Sequence, residues 1–222
     1  MSTPRVQRPE LPATMTWDEL EQLPAEIAER IELRDGVPVW IADEVMLRHG
    51  PAEHQRYSRR FTNALERRAR AHMAADPDVC WQVDLETNVF FRPDRSSFLT
   101  PDFMIFRCLR DEFDWVHADD VLLAGEVLSP ANTPKAIEAK KRRYAEGGIP
   151  WYWEAELAPN PRRVAVVRAY ALSTDEVHLP QGVTPLRKAN YILTGEWLAD
   201  EHPGVQTAHP FPIDIPWTEL AF

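Results

Sequence analysis

The chain has 222 residues, a formal net charge of −10 and a hydrophobic fraction of 44%. Its apolar content is too high for a disordered chain, and no run approaches the ~18 consecutive apolar residues of a membrane-spanning helix. The acidic balance, taken alone, disfavours a nucleic-acid partner, because phosphate neutralisation requires clustered lysine and arginine.

The N-terminal segment and the two cysteines indicate the compartment. Residues 1–15 are rich in proline and lack the apolar segment of a secretory signal, so we expect a disordered lead. Cys80 and Cys108 lie in unrelated segments without C-x-x-C or cysteine–histidine spacing. This pattern argues against a zinc site or a disulfide framework and fits a reducing compartment. We therefore expect a cytoplasmic protein.

The first third of the chain predicts two short helices, a hairpin and a long helix. Thr16-Trp17-Asp18-Glu19 has the form of a capping box and predicts a helix that ends near Pro24, with a second short helix after it. Apolar residues alternate on both sides of Asp35-Gly36, which predicts a hairpin. Residues 53–75 repeat apolar side chains at helical spacing and carry arginine on the polar face.

The rest of the chain predicts a sheet with one more long helix. Strand-like segments lie at residues 79–91, 102–106, 121–128, 151–156 and 163–170, and shorter ones follow residue 177. The third is continuously apolar before its first acid, as expected for a central strand buried on both faces. Thr133-Pro134 begins a helix that runs to Gly147-Gly148. Because no repeat or long linker divides the chain, we expect one α/β domain over residues 16–222.

Two acids and a lysine form a candidate site. Asp102 opens a predicted strand, Glu126 ends the most hydrophobic strand, and Lys140 lies on the next helix. A carboxylate at the end of a buried strand is costly unless it is paired or binds a cation. Mg²⁺ prefers one or two carboxylates with waters and phosphate oxygens, and the backbone carbonyl of Val127 can add a ligand. A lysine beside such an ion can orient water and stabilise charge at phosphorus.

Each of these residues also has a purely structural interpretation. Asp102 can cap a turn, and Glu126 can form a salt bridge with a nearby basic residue. Lys140 belongs to the charged run 140–143, and such runs usually form a solvated helix face. No other catalytic pattern competes, because the sequence has no G-x-S-x-G elbow and no glycine-rich phosphate loop.

An ordered set of motifs gives the chain a family resemblance from about Thr16 to Phe222. The motifs are Leu23-Pro24, residues 31–36, His54-Gln55, Pro101-Asp102, residues 126–130, Lys140, Tyr144, residues 148–153, Pro210–Ile213 and Leu220. Together they resemble the Uma-two family of restriction endonucleases, within the PD-(D/E)XK nuclease superfamily. The resemblance implies an α/β (α+β) restriction-endonuclease-like fold with a mixed central β-sheet flanked by helices. It also implies an endonuclease that hydrolyses DNA phosphodiester bonds with Mg²⁺ or Mn²⁺.

The resemblance also implies roles for individual residues. Asp102 and Glu126 would bind the metal. Lys140 would replace the usual lysine two residues after the second acid, where this chain has Leu128. Lys141 points about 100° away around a helix, so we expect Lys140 to face the site.

Two further residues are auxiliary candidates. Glu32 matches an acid of the family and could bind the metal or a water, although a cross-strand pair in the hairpin is an equally simple role. His54 could contact phosphate or support a metal ligand, or it could be a packing histidine at the start of the long helix.

One departure from the family pattern leaves a second function open. The family commonly has an aspartate one turn before the helical lysine, and this chain has Ala136 there. If that aspartate fixes the lysine, the site is weakened. The alternative is a catalytically reduced nuclease fold that acts as a nucleic-acid-binding or regulatory module.

The charge is unevenly distributed along the chain. Residues 53–70 and residues 133–143 each carry a balance of +4. These two predicted helices bear His54 and Lys140, so we expect DNA to bind a surface that they share, with salt-dependent affinity. The expected contacts are Arg56, Arg59, Arg60 and Lys141. A homodimer is also expected, because nucleases that cut both strands often pair two sites.

Overall fold

The computed structural model describes residues 8–40, 52–111, 114–128, 132–158, 163–173 and 189–221. The predictions for residues 1–7, for the Ser129-Pro130 motif and for the strand beginning at residue 177 fall outside these ranges.

The described ranges contain five α-helices, and the predicted caps are confirmed. Thr16 caps the first helix by accepting from the Glu19 backbone N–H at 3.2 Å, and the Glu19 side chain accepts from the Thr16 N–H at 2.8 Å. Thr133 caps the fourth, whose first residue is proline. The helices are α1 Trp17–Glu21, α2 Ala25–Ala28, α3 Ala52–Ala75, α4 Pro134–Glu146 and α5 Trp217–Leu220.

Twelve strands are present in the described ranges. The prediction is wrong in one region, because residues 79–91 form two strands instead of one and the second pairs with an unpredicted strand at Phe98–Leu99. Glu86, in the break, adopts a left-handed backbone with φ of 49°. The strands are β1 Ile31–Arg34, β2 Val37–Trp40, β3 Trp81–Asp84, β4 Val89–Phe90, β5 Phe98–Leu99, β6 Phe103–Arg107, β7 Val121–Leu128, β8 Trp151–Leu157, β9 Val164–Ser173, β10 Asn190–Leu198, β11 Gly204–Thr207 and β12 Ile213–Pro216.

A six-stranded mixed sheet in the order β10-β9-β8-β7-β6-β3 organises the fold. The pair β7 and β8 is parallel, and the other neighbours are antiparallel. α4 connects the parallel pair, as a crossover must. β7 lies inside the sheet and is buried along most of its length, so the predicted mixed sheet with a central apolar strand is confirmed.

The two long helices cover opposite faces of this sheet. Phe61 and Leu65 of α3 share a buried cluster with Phe103 of β6. Tyr144 of α4 shares a different cluster with Met104, the next residue of the same strand. Since successive strand residues point to opposite faces, α3 and α4 lie on opposite sides. The expectation that the two basic helices share one DNA-binding surface is therefore wrong.

A third cluster attaches the N-terminal elements to the sheet. Trp17, Ile31 and Phe98 are buried together where α1, the hairpin β1-β2 and the pair β4-β5 meet. Arg143 of α4 donates to the carbonyl oxygens of Leu33 at 3.1 Å and Phe98 at 2.8 Å. This contact fixes the hairpin beside α4.

The expectation for the cysteines is wrong, because Cys80 and Cys108 form a disulfide. β3 and β6 pair antiparallel with Trp81 opposite Arg107, which places the two cysteines side by side just beyond the paired residues. Local spacing could not show this pairing, since the cysteines are 28 positions apart in the sequence. The argument from cysteine usage for a reducing compartment loses its support. In the part of the chain that the structure describes, no helix is long and apolar enough to span a membrane.

Gly125 of β7 is required by close packing. It lies opposite Phe103, and a Cβ added at Gly125 would lie 2.0 Å from the Phe103 ring. We predict that Gly125→Ala lowers the free energy of unfolding by about 1–3 kcal/mol through overpacking, measured by urea denaturation. The double variant with Phe103→Leu should lose less than the sum of the two single losses. Strictly additive losses would contradict this interpretation.

Candidate active site

Asp102 and Glu126 meet at the junction of β6 and β7. The Asp102 N–H donates to the Gly125 carbonyl at 3.0 Å, and Asp102 Oδ2 accepts from the Val127 N–H at 2.6 Å. The two residues are only 7% and 6% exposed. Two buried acids at one point of the sheet agree with the expectation that they lie together.

Glu126 is held by two side chains of α4. Lys140 Nζ lies 3.1 Å from Oε1 and 3.0 Å from Oε2, and the Tyr144 hydroxyl donates to Oε1 at 2.7 Å. Lys140 and Tyr144 are four residues apart and so share one face of the helix. The structure thus brings together Asp102, Glu126 and Lys140.

The environment shifts the pKa values of this group. Burial raises the pKa of Glu126 to about 7, and the charge of Asp102 adds to this effect, whereas Lys140 and Tyr144 oppose it. Burial lowers the pKa of Lys140, but the nearby carboxylates of Glu126, Asp102 and Glu32 outweigh it, so the pKa is raised overall. The lysine therefore stays protonated, and Glu126 can exchange a proton near neutral pH.

His54 approaches the same point from the opposite face. Its Nε2 lies 3.0 Å from Asp102 Oδ2 and 3.1 Å from the Val127 carbonyl oxygen. Burial lowers the pKa of His54, but the hydrogen bond and charge of Asp102 outweigh it and raise the pKa overall. The first turn of α3 thus places an imidazole directly on the candidate metal ligand.

Glu86 is a neighbour that the sequence did not reveal. One ligand atom each from His54, Glu86 and Asp102 lies within 4.8 Å of the others, a spacing that could hold a metal ion. Gln55 donates to Glu86 Oε1. Glu86 lies in an irregular segment without motif spacing, so no sequence signal marked it. The donor set of carboxylate oxygens and one imidazole fits a divalent cation.

Glu32 and Ala136 line a cavity of about 180 Å³ beside Glu126 and Lys140. Glu32 accepts from Arg143 at 3.0 Å, so it belongs to an ion pair at the cavity wall. Ala136 lies one turn before Lys140, at the position where the resemblance implies an aspartate. Position 136 therefore supplies no carboxylate to Lys140.

The expected DNA contacts do not lie together. Lys141 Nζ is 2.9 Å from Glu154 Oε1 and 4.0 Å from the centre of the Tyr170 ring, beside a separate cavity of about 600 Å³. Arg56 and Arg59 are exposed and Arg60 is half-buried, all on α3. Because α3 covers the other face of the sheet, these arginines do not form one patch with Lys141.

The shifted pKa of Glu126 has a measurable consequence. We predict that one glutamate carboxyl titrates near pH 7 in carbon-detected NMR and that its signal is missing from Glu126→Gln. Because the folded protein keeps this proton to higher pH than the unfolded chain, the free energy of unfolding should fall as pH rises from about 4.5 to about 7. Glutamate signals that all titrate below about pH 5.5 would disprove the prediction.

Comparison with known proteins gives the following similarities. A family model described as "Putative restriction endonuclease", Uma2, matches residues 17–187. No curated protein matches. A crystal structure of a putative nuclease belonging to DUF820, from Anabaena variabilis, matches with a TM-score of 0.52 and 14% identity, covering 93% of this chain and 97% of that chain. At this identity the structural match shows a similar fold.

The family match spans most of the chain and includes Asp102, Glu126, Lys140 and Tyr144. The start of β6, the strand β7 and the helix α4 bring these side chains together, in agreement with the resemblance inferred from the motifs. The chain belongs to the Uma2 family of restriction-endonuclease-like proteins.

Proposed function

We propose that this protein is a divalent-metal-dependent endonuclease that hydrolyses DNA phosphodiester bonds within a single domain over residues 16–222. The observation that carries the proposal is the convergence of Asp102, Glu126 and Lys140 from β6, β7 and α4. Lys140 contacts both Glu126 carboxylate oxygens at 3.0–3.1 Å. Buried acids with a lysine and a raised glutamate pKa are typical of catalytic sites. The family match supports the same class of reaction.

The proposed roles follow from the contacts. Asp102, Glu126 and the Val127 carbonyl are the proposed ligands of Mg²⁺ or Mn²⁺. A bound ion would polarise the phosphodiester and lower the pKa of a bound water. Lys140 holds a fixed positive charge beside the carboxylates, where it can stabilise charge that develops on phosphate oxygens. Tyr144 fixes the orientation of Glu126.

Six further residues complete the proposal. His54 and Glu32 are auxiliary groups near the candidate ligands, and Arg56 and Arg59 are proposed contacts to DNA, together with Arg60. Lys141 would contribute only if it leaves its partner Glu154, because its side chain is 15% exposed. We also propose a homodimer, which sedimentation equilibrium would test, and a cytoplasmic location, which fractionation of the native host would test.

A second candidate function is a nuclease fold that binds nucleic acid without cutting it. The specific observation in its favour is that Ala136 lies where a carboxylate would support Lys140, while Lys140 and Tyr144 together contact both oxygens of Glu126. A carboxylate with these partners must give up some of them to bind a cation.

Plasmid cleavage separates the two functions. We predict that the wild-type protein nicks or linearises DNA with Mg²⁺ or Mn²⁺ and that Asp102→Ala and Lys140→Ala lose activity by about 100-fold or more. Lys135→Ala is the matched control, since Lys135 is exposed on the same helix and should leave activity near wild type. Each variant is checked for its fold by circular dichroism.

Two results would refute the nuclease function. One is a wild-type protein that cuts neither plasmid nor single-stranded DNA with either ion. The other is equal cleavage by wild type, Asp102→Ala and Lys140→Ala. If a protein that does not cut binds DNA with an affinity that falls steeply with salt, the binding-module function is supported instead.

A further inference from the structure

We infer that His54 and Glu86 join Asp102 in a cation site of mixed nitrogen and oxygen donors, which binds a first-row transition-metal ion such as Mn²⁺ more tightly than Mg²⁺. This inference deepens the proposed function. The catalytic role of the bound ion rests on that function. The binding itself rests on the geometry of these three side chains and can be measured without DNA.

The separations match neighbouring ligands of one ion. For bonds of about 2.1 Å at right angles, adjacent ligand atoms lie roughly 3.0 Å apart. His54 Nε2 is 3.0 Å from Asp102 Oδ2 and 3.1 Å from the Val127 carbonyl oxygen. Glu86 brings a carboxylate oxygen within 4.8 Å of the His54 and Asp102 atoms. Four donors from four segments of the chain therefore converge.

Asp102 has a carboxylate oxygen available at this point. Its Oδ2 contacts the Val127 N–H and His54, whereas Oδ1 has no hydrogen-bond or ion-pair partner among the described residues. Asp102 is only 7% exposed. An ionised carboxylate that is buried to this extent is stabilised by a cation.

The backbone around Glu86 places its side chain at the site. β3 ends at Asp84, and Glu86 then adopts the left-handed conformation, in which a residue other than glycine is uncommon. This turn directs the chain back towards the start of α3, where Gln55 donates to Glu86 Oε1. Neighbouring residues of α3, His54 and Gln55, thus contact Asp102 and Glu86 respectively.

The donor types determine the preferred ion. Mg²⁺ binds oxygen ligands almost exclusively, whereas imidazole suits transition metals, and carboxylates suit Mn²⁺ as well. His54 Nε2 lies against Asp102 Oδ2 and the Val127 carbonyl oxygen, so Nε2 is the ring atom presented to the site. A site of one imidazole, two carboxylates and one carbonyl therefore favours Mn²⁺ over Mg²⁺.

Glu126 is not one of these four donors, since it contacts α4 instead. Its oxygens contact Lys140 and Tyr144 on the other face of the sheet. Removing Glu86 should consequently weaken cation binding more than removing Glu126, although each change removes one carboxylate.

The test measures cation binding by the full-length, metal-free protein in the absence of DNA. Free Mn²⁺ is followed by electron paramagnetic resonance, and Mg²⁺ is added as a competitor. The variants are Glu86→Gln, His54→Gln and Glu126→Gln. Glu201→Gln is the matched control, because Glu201 is an exposed glutamate in the turn after β10 and its change removes the same charge. Thermal unfolding without metal checks the fold of each variant.

We expect wild type to bind Mn²⁺ about tenfold more tightly than Mg²⁺. Glu86→Gln should weaken Mn²⁺ binding about tenfold or more. Removal of a residue that only hydrogen-bonds to a metal ligand commonly costs this much affinity, so removal of a ligand should cost at least as much. His54→Gln should remove most of the preference for Mn²⁺. Glu126→Gln should weaken Mn²⁺ binding less than Glu86→Gln does, because Glu126 must first give up contacts with Lys140 and Tyr144 to bind an ion. Glu201→Gln should change Mn²⁺ affinity only slightly. Substoichiometric Mn²⁺ should also broaden the His54 ring proton signals of the wild-type protein, which locates the ion without any substitution.

Three results would overturn the inference: no cation binding by wild type, Glu86→Gln binding as tightly as Glu201→Gln, or His54 signals that Mn²⁺ leaves sharp. The result is separable from the proposed function. A protein that binds Mn²⁺ through Glu86 and His54 but cuts no DNA refutes only the nuclease function. A protein that cuts DNA while Glu86→Gln binds ions normally refutes only this inference.

Discussion

The buried contact between Lys140 and Glu126 is the constraint on which the rest of the site depends. Two opposite charges in a region of low dielectric cost several kcal/mol in lost hydration, and that cost is offset only by close pairing and by further hydrogen bonds. Tyr144 supplies one such bond, at 2.7 Å. For this pairing to form, α4 must lie against β7 in one register, which the parallel connection from β7 to β8 imposes. The ion pair therefore fixes the position of α4 on the sheet, and it also places Lys140 beside Glu126 in the candidate site.

A second pair repeats this arrangement one strand away. Glu154 lies beside Glu126 in the parallel register of β7 and β8, and it binds Lys141, the residue after Lys140. The Tyr170 hydroxyl donates to Glu154 Oε2 at 2.9 Å, much as Tyr144 donates to Glu126. Two consecutive lysines thus bind two adjacent buried acids, which resists both rotation and sliding of α4. This double anchor offers a physical reason why the chain can place Lys140 without an acid at position 136.

The sequence revealed the parts of the fold that local chemistry determines. The capping box at Thr16 and the apolar run of β7 each imply one structure, and the ordered acids and lysine imply one site. Three features depend on contacts between distant segments and so had no local signal. Cys80 meets Cys108 only because β3 pairs with β6. Glu86 reaches His54 only because the chain turns back after β3. The positions of α3 and α4 on opposite faces follow from strand alternation across the whole sheet, which a segment-by-segment charge count cannot include.

Contacts between distant segments also neutralise much of the positive charge of the two basic helices. Arg67 and Arg68 of α3 both bind Glu219 of α5, and hydrogen bonds from Arg68 and then Arg67 lower the pKa of that carboxyl to about 2. Arg68 also donates to the Asp214 carbonyl, so these arginines attach the C-terminal segment to the helix. On α4, Lys141 and Arg143 are likewise paired with acids. Much of the +4 of each segment is therefore neutralised within the fold. In the described part of the chain, exposed basic residues near the candidate site include Arg56 and Arg59 at the start of α3 and Arg34, which lines the cavity beside Glu126 and Lys140. These are the positions at which we propose that a phosphate backbone approaches the site.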